Sequence, residues 1–326
     1  MSSRTTTITS LDREKSRFQA ELLRRVAIAS EEFPTVRCWS ARKFRGLLGR
    51  LRSSLIEAKA ASSSCPRTEA LLDWLVSIGL VFPLPVVAGH TAQAEGLFYL
   101  VEVGAGPQSV VSPFELLQAY QPQGILSFFS ALSIHGLTTQ PPPFHHSAIL
   151  TSRPLNRFQE RPIPETPSIA TTTPRRDPLG SHTFTHEGIR YYSTKRYRDL
   201  VSGVQTQILA PRIHLRVTDL EQTLLDTLMQ PDSCGGQSVI FEAWTHLDRA
   251  QPERLANYLL LFKQPVLTRR LGALLNLTGI APPPSLLPVL AEARRQLATT
   301  PGTRVTLFRG QIGSLLDPEW NVLTPA

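Results

Sequence analysis

Gly79 to Val103 reads GLVFPLPVVAGHTAQAEGLFYLVEV, and the fold turns on this stretch. Two apolar runs, LVFPLPVV and LFYLVEV, flank a small polar loop, AGHTAQAEG, that carries two glycines. Strand-like runs around a glycine-containing loop predict a β-hairpin. Leu71 to Gly89 is also the most membrane-like stretch, but Asp73, Pro83 and Pro85 interrupt it and it is barely long enough to span. It reads instead as a buried helix running into a strand.

Upstream of the hairpin the apolar spacing is helical. Phe18, Leu22, Leu23 and Val26 mark a helix from about Leu11 to Ser30. Ser40 is placed to cap a second helix, whose stripe is Phe44, Leu47, Leu48, Leu51 and Leu55 with arginines around it. SSSCP, Ser62 to Pro66, reads as a turn. A third helix runs from about Arg67 to Ile78 on Leu71, Leu72, Trp74 and Leu75, and Gly79 is a natural stop. Helices followed directly by a hairpin give the order of a winged helix-turn-helix, with the hairpin as wing. The third helix would read the major groove, yet beside Arg67 it carries Glu69 and Asp73, a poor base-reading face. The Arg-rich helix before it then makes much of the phosphate contact.

The charge is uneven. The 326 residues carry a net +8, with a pI of about 9.8. Up to Ala60 there are thirteen basic and six acidic residues, nearly the whole surplus in the first fifth of the chain. Such a block is either the electrostatic footprint of a nucleic-acid binder or a solvated face with no partner. On the first reading the DNA contacts are Arg42, Lys43, Arg45, Arg50, Arg52 and Arg67.

The length suggests two domains, and 41% hydrophobic with 18% charged residues is a globular mix. Twenty-seven prolines predict long irregular stretches. Cys38, Cys65 and Cys234 are odd in number and far apart, so they offer no disulfide framework and no CxxC zinc pair. The N-terminal run has no apolar core and is not a signal peptide. A cytoplasmic protein without a membrane partner is expected.

From Ser112 the pattern changes. SPFELLQAY offers a Ser N-cap followed by Pro at the first helical position. GILSFFSALSIHGL reads as a mostly apolar buried helix, and a Pro-rich loop begins at TTQPPPFHH. Glu160 to His182 has neither period nor core and reads as a mobile insertion. GIRYYST, Thr206 to Leu209 and His214 to Val217 read as strands. In RVTDLEQTLLDTLMQP, Thr218 with Glu221 makes a capping box and Leu220, Leu224, Leu225 and Leu228 form the buried stripe. Further helices follow at Ser238 to Leu247 and in QPERLANYLLLF, VLTRRLGALLNL and SLLPVLAEARRQL, with short strands at RVTLFRG and Trp320 to Leu323. The fold class is α+β. It comprises a basic extension over 1–35, a winged-helix-like domain over 36–104, and a mixed C-terminal domain over 112–326 with its insertion near 160–182.

Chemistry is sparse. There is no GxxxxGK[ST] loop, no HExxH and no GxSxG. His145 with His146, and His182 with His186, lack nearby cysteines or a well-spaced carboxylate, so they read as exposed loop histidines rather than metal ligands. Pro231-Asp232 followed by Glu242 resembles part of a nuclease site, but the lysine that should follow is missing. Asp219 and Glu221 are explained by capping. Gly136 fits a helix C-cap, and His135 a hydrogen-bonded structural residue. Arg269 and Arg270 are a surface pair, an internal salt bridge or a second basic patch. No catalytic residue, metal or cofactor is expected, and the chain reads as a non-enzyme.

Four segments in this order resemble the AbiEi family, the antitoxins of type IV toxin–antitoxin (abortive infection) systems. SFFSALSIHGLTTQPP (Ser127 to Pro142) is similar to the family's apolar helix followed by His-Gly-Leu-Thr and Pro. RVTDLEQTLLDTLMQPDSCGG (Arg216 to Gly236) is similar to its "VTDPERTLLDLL..P..GG" segment. RRLGALLNLTG (Arg269 to Gly279) and DPEWNV (Asp317 to Val322) are similar to its "RLGYLLE.LG" and "D..WN" segments. The resemblance covers about Phe114 to the end. The family's wing is basic, "RRG.Y"; here it keeps Gly96 and Tyr99 without arginines.

The resemblance implies an N-terminal winged helix that binds inverted repeats in its own promoter as a repressor, with two copies on the DNA. It implies a C-terminal domain that carries the antitoxin effect, for which His135, Gly136, Asp219, Glu221, Arg269 and Arg270 are the candidates. It also implies a nucleotidyltransferase-like toxin as functional partner, with no direct contact required. Two other classes stay open. One is a metal-dependent, nuclease-like enzyme using Asp232 and Glu242 behind a DNA-targeting head. The other is an interaction protein that does not bind DNA.

Overall fold

The computed structural model describes residues 10–27, 34–58, 66–90, 96–101, 111–152, 179–210, 213–300, 302–308 and 315–325. The chain mixes helices and strands and divides into two compact units. The first comprises Met1–Gln123, Thr183–His186 and Gln207–Leu215; the second comprises Gly124–His182, Glu187–Thr206 and Arg216–Ala326. No helix among the described residues is long and apolar enough to cross a membrane.

The first unit begins with α1 (Ser10–Arg25), β1 (Cys38–Ser40), α2 (Ala41–Glu57) and α3 (Thr68–Ser77). It continues through β2 (Val81–Pro85), β3 (Val87–Ala88), β4 (Leu97–Val101) and α4 (Pro113–Tyr120). The three helices exist because each has one apolar stripe, and the stripes meet. Phe18, Leu22 and Val26 of the first helical segment, Phe44, Leu47, Leu48 and Leu51 of α2, and Leu71, Leu72 and Leu75 of α3 form one buried cluster with Trp39, Val81, Tyr99 and Val101. Full burial of such a side chain stabilises by about 1.5–3 kcal/mol. The segment expected as a basic extension over 1–35 therefore supplies part of this core. Ile78 and then Gly79, at φ +70°, end α3.

β4 is the central strand of an antiparallel three-stranded sheet of order β1-β4-β2. Its register with β2 runs from Val81↔Val101 to Pro85↔Leu97, and with β1 from Cys38↔Leu100 to Ser40↔Phe98. The hairpin expected from Gly79 to Val103 thus forms; its tip, 91–95, lies outside the described residues. Val86 N–H still donates to the Gly96 carbonyl at 3.1 Å, and beyond it the chain leaves this hairpin. β3 pairs instead with β7 (Ser181–His186), Val87 opposite Thr185 and Ala88 opposite Phe184. Phe184 is fully buried and meets Phe98 and Tyr120 edge-on. A strand nearly a hundred residues downstream is therefore part of this unit, which no boundary at 104 anticipates.

α4 has the expected cap: Pro113 stands at its start and Ser112 Oγ accepts from Phe114 N–H at 3.3 Å. Ser40 occupies the N-cap of α2 but its buried hydroxyl makes no side-chain cap bond.

The second unit opens with β5 (Ile125–Leu126) and α5 (Phe129–His135). The expected single helix over GILSFFSALSIHGL is thus a strand and a short helix. Phe128 between them is held at φ +59°, a conformation costly for a bulky residue. β6 (Phe144–Thr151) and β8 (Ile189–Tyr197) follow; of β9 (Val204–Ala210) and β10 (Ile213–Thr218), residues 204–206 and 216–218 belong to this unit and 207–215 to the first. β6 runs parallel to β8, from Phe144↔Arg190 to Thr151↔Tyr197, and antiparallel to β5. β5 is parallel to β10 through Leu126↔Val217, and β9 lies beyond β10. Of the insertion expected near 160–182, residues 160–178 lie outside the described residues; 179–180 lead into β7, which takes in Ser181 and His182.

Five helices complete the unit: α6 (Leu220–Met229), α7 (Gln237–Trp244), α8 (Pro252–Phe262), α9 (Pro265–Thr278) and α10 (Leu287–Thr299). A small sheet of order β11-β13-β12 closes it, from Val305–Thr306, Val322–Thr324 and Leu315–Asp317. Its core joins Phe128, Phe129 and Leu132 to Leu224, Leu225 and Leu228, Trp244, Leu271, Leu274 and Trp320. Gly272 lies against the Trp320 indole so closely that a Cβ there would overlap the ring.

Candidate nucleic-acid interface

α2 is divided cleanly. At about 100° per residue, Ala41, Phe44, Leu47, Leu48 and Leu51 form one side, and all are buried. Arg42, Arg45, Gly46, Gly49 and Ser53 fall on the other side, with Arg50 and Arg52 at its flanks. The acidic first turn common in helices is absent. The result is a cationic face with small residues between the arginines.

The six expected DNA contacts separate into two groups. Arg42 and Arg50 on α2, and Arg67 at the N-cap of α3, are exposed and have no partner among the described residues. The other three are engaged. Lys43 donates from Nζ to the Tyr120 and Ala119 carbonyls, which are the orphan acceptors at the C-terminus of α4. Arg52 Nε donates to the Pro66 carbonyl at 3.0 Å and so ties α2 to the start of α3. Arg45 meets Glu69 at 3.1 Å, with its guanidinium 6.0 Å from the Tyr99 ring centroid. Nearby, Arg37 forms an ion pair with the fully buried Glu115 of α4 at 2.6 Å. Sequence reading gave no sign of these ties, since their partners lie up to 78 residues away.

The solvent face of α3 carries Glu69, Ala70, Asp73, Val76 and Ser77. Val76 is 36% and the following Ile78 45% exposed. No side chain there offers the bidentate donors that read guanine or adenine edges. Glu69 and Asp73, the two acids expected on this helix, both lie on its exposed side.

The six residues that the family resemblance singled out, His135, Gly136, Asp219, Glu221, Arg269 and Arg270, lie in the second unit, and their burial and partners define what they do there. Asp219 caps α6: its Oδ1 accepts from Gln222 N–H at 2.9 Å and its Oδ2 from the Tyr258 hydroxyl at 2.7 Å. The cap is therefore one residue later than the expected Thr218, which is still the last residue of β10. Gly203 faces Asp219 so closely that a Cβ there would overlap its carboxylate. Glu221 reaches to the start of α8, accepting from Gln251 N–H at 2.7 Å and facing Arg254 at 3.5 Å. His135 Nε2 lies 2.7 Å from the Thr218 carbonyl, and burial lowers its pKa. Gly136 is the left-handed C-cap of α5 at φ +61°. These residues brace α5, α6 and α8.

Arg269 and Arg270 are 5% and 3% exposed, which overturns both the surface pair and the second basic patch. Arg269 donates to the carbonyls of Trp320, Thr303 and Asn321 at 2.7–3.0 Å, and Arg270 to those of Thr306 and Leu228. They fasten the C-terminal small sheet to the helices.

The buried ion pair Arg196–Asp226 was not anticipated. Arg196 Nη1 donates to Asp226 Oδ2 at 2.7 Å, its Nη2 to Oδ1, and its guanidinium stacks 4.9 Å from the Phe128 centroid. Gln222 Nε2 also donates to Asp226 at 2.8 Å. An aspartate inside the leucine stripe of LEQTLLDTLM was the available signal, because a buried carboxylate requires a partner.

His145 and His146 are fully buried strand residues, not exposed loop histidines. The parallel register sets them beside Tyr191 and Tyr192, with ring centroids 5.4 Å apart in both pairs. Burial holds both imidazoles well below their ordinary value, at about 4. His182 and His186 lie on β7. Among the described residues no cluster of three histidine, cysteine or acidic side chains could hold a metal. Glu242 accepts from Thr138 Oγ1, Thr139 N–H and Thr139 Oγ1 at 2.6–2.7 Å, and these bonds lower its pKa. It pins the segment after α5, while Asp232 is exposed in the Pro231–Cys234 turn.

No family model matches the chain, and no curated protein matches it. In solved structures, the chain is similar to the RV2827C protein from Mycobacterium tuberculosis, with a TM-score of 0.50 and 14% sequence identity. The similarity spans 95% of this chain and 91% of that one. At that identity it is a likeness of fold.

Proposed function

We propose that the chain is a DNA-binding transcriptional regulator whose α1–α3 and β1-β4-β2 module acts as a winged helix. The observation that carries this reading is the unpartnered cationic set, Arg42 and Arg50 on α2 with Arg67 at the start of α3. In the mechanism, these guanidinium groups neutralise phosphates and release counterions, which fixes the duplex across α2. Because α3 offers no base-reading donors, the sequence preference rests on groove shape and on the wing.

The resemblance to AbiEi antitoxins extends the proposal. The chain would repress its own promoter at inverted repeats, as two copies. It would counteract a nucleotidyltransferase-like toxin in the cytoplasm without touching it, and would be neither an enzyme nor cofactor-dependent. The engagement of Glu242 by Thr138 and Thr139 speaks against the nuclease-like alternative. The interaction-protein alternative draws on the mixed acidic and apolar face of α3, where Val76 and Ile78 are exposed.

The deciding experiment is a gel shift of the full chain on its own upstream DNA and on scrambled DNA across a salt series. A selective, salt-steep shift that weakens in Arg42→Gln/Arg50→Gln supports the regulator. No selective shift at low salt, together with salt-insensitive capture of a protein partner, moves the interaction protein ahead. Growth rescue on co-expression with a neighbouring nucleotidyltransferase-like gene tests the antitoxin role.

A further inference from the structure

Three glycines lie inside helices among the described residues, and there glycine costs more than any residue but proline. Each therefore needs a reason. Gly272 of α9 has one, since a Cβ there would overlap the Trp320 indole. Gly49 of α2 is half-buried, 3.8 Å from Thr68 Oγ1 at the start of α3 by the place its Cβ would take. Gly46 of α2 has no reason within the fold. It is exposed, and its φ does not lie in the left-handed region. A Cβ there would meet Arg50 Nη1 alone, at an ordinary 3.7 Å.

What stands around Gly46 supplies the reason. Arg42 and Arg50 lie four residues before and four after it, which sets all three along one side of the helix. Both arginines are exposed and have no partner among the described residues. The guanidinium of Arg50 already leans back over the glycine. The one acid of α2 is Glu57, its last residue. The line is therefore cation, bare backbone, cation, with the two arginine Cα atoms about 12 Å apart.

We infer that Gly46 is a subsite for one phosphate of a DNA strand, bracketed by the guanidinium groups of Arg42 and Arg50. The inference rests on the DNA-binding reading above and deepens it. A gap one side chain wide suits a narrow ridge of charge, which is what a sugar–phosphate strand presents. A flat acidic protein surface gains nothing from such a gap, because exposed arginines reach its carboxylates without it. Without a Cβ in the way, the phosphate oxygens come down to the helix, where both guanidinium groups donate to them. Closeness matters because the attraction falls with distance, and the fork of an arginine engages two oxygens only at contact. Gly46 is thus a positioning residue that acts through the two arginines.

The test is fluorescence anisotropy of the full chain on a duplex of its own upstream DNA and on a scrambled duplex, with urea unfolding of the same variants. Gly46→Leu should weaken binding about tenfold, the loss of one hydrogen bond between charged groups, and Gly46→Ala should weaken it less. The loss should be equal on both duplexes, because a phosphate carries no sequence. Gly46→Ala should also shift the folding equilibrium about fivefold toward the folded state, because the helix sheds a glycine. Tighter folding with weaker binding separates a subsite from a structural glycine, whose replacement lowers both. In Arg42→Gln/Arg50→Gln, adding Gly46→Leu should change binding no further. Binding by Gly46→Leu equal to the parent's, where Arg42→Gln/Arg50→Gln does weaken it, overturns the subsite and leaves the DNA-binding reading standing. A loss confined to the upstream duplex overturns the phosphate and sets a base edge at Gly46. A parent that binds neither duplex at low salt overturns the DNA-binding reading, and the subsite with it.

Discussion

Two arginine-bearing helices, α2 and α9, put one residue type to opposite uses. On α2 the guanidinium groups of Arg42 and Arg50 extend into solvent from the side opposite the apolar stripe. On α9 nine consecutive residues, Leu267 to Leu275, are buried, and Arg269 and Arg270 lie among them. There, carbonyls of the C-terminal strands and turns replace water as acceptors. Charge on a sequence is thus no measure of charge on a surface. The helix's exposure decides whether an arginine is available to a phosphate or is consumed in holding the fold.

The sharpest way to break this contrast is to remove a buried partner. Arg196→Met leaves the Asp226 carboxylate buried without its guanidinium, and should cost about 3–5 kcal/mol in urea unfolding. Arg196→Met/Asp226→Leu should recover most of that loss, since an apolar pair carries no desolvation cost. A single variant as stable as the parent would mean that the pair contributes nothing.

His145 and His146 extend the contrast to pH. Both remain neutral in the folded chain down to about 4, whereas an unfolded chain protonates them near 6.5. Their contribution is complete above about 6.5 and is lost as pH falls through about 4. It is on the order of 3 kcal/mol apiece. The urea midpoint should fall across that window, and His145→Gln/His146→Gln should flatten the fall. A midpoint already flat in the parent would contradict the burial of both rings.

The same residues show what could be read beforehand. α1, α2, α3 and α6 were legible because their apolar positions recur every three to four residues, and that period survives folding. The cap of α6 was misplaced by one residue because Thr218 and Asp219 both fit a cap, and only pairing of β10 through Val217 makes Thr218 a strand residue. His145 and His146 were hidden by the three prolines before them, since their parallel partner strand begins more than forty residues later. In the candidate interface the exposed cations were legible as charge. The engagement of Lys43 with α4 was not, because a lysine's reach to a distant helix C-terminus leaves no local pattern.

A paired measurement on α9 and α2 sharpens the comparison at intermediate size. Arg269→Met removes donors to three carbonyls and should cost on the order of 2–3 kcal/mol. Where the variant is still folded, its salt dependence on DNA should be unchanged. Arg42→Gln/Arg50→Gln should do the reverse, leaving the urea midpoint in place. It should lower the slope of log affinity against log salt by about 0.9 for each phosphate no longer neutralised. Equal effects of both variants on both readouts would remove the distinction between the two helices.

The smallest effect lies at the boundary between the two uses, in the surface pair of Arg45 and Glu69. Both side chains are well exposed, at 43% and 65%, so their attraction is screened and adds little to stability. Under the proposed DNA binding, however, Glu69 would compete with phosphate for the Arg45 guanidinium. Glu69→Gln should leave the urea midpoint in place and steepen the salt slope by about 0.9, the increment for one further neutralised phosphate. Adding Arg45→Gln should return the slope to its starting value, because the increment runs through that guanidinium. A slope indifferent to Glu69→Gln would confine phosphate binding to Arg42, Arg50 and Arg67 and leave Arg45 as a brace between α2 and α3.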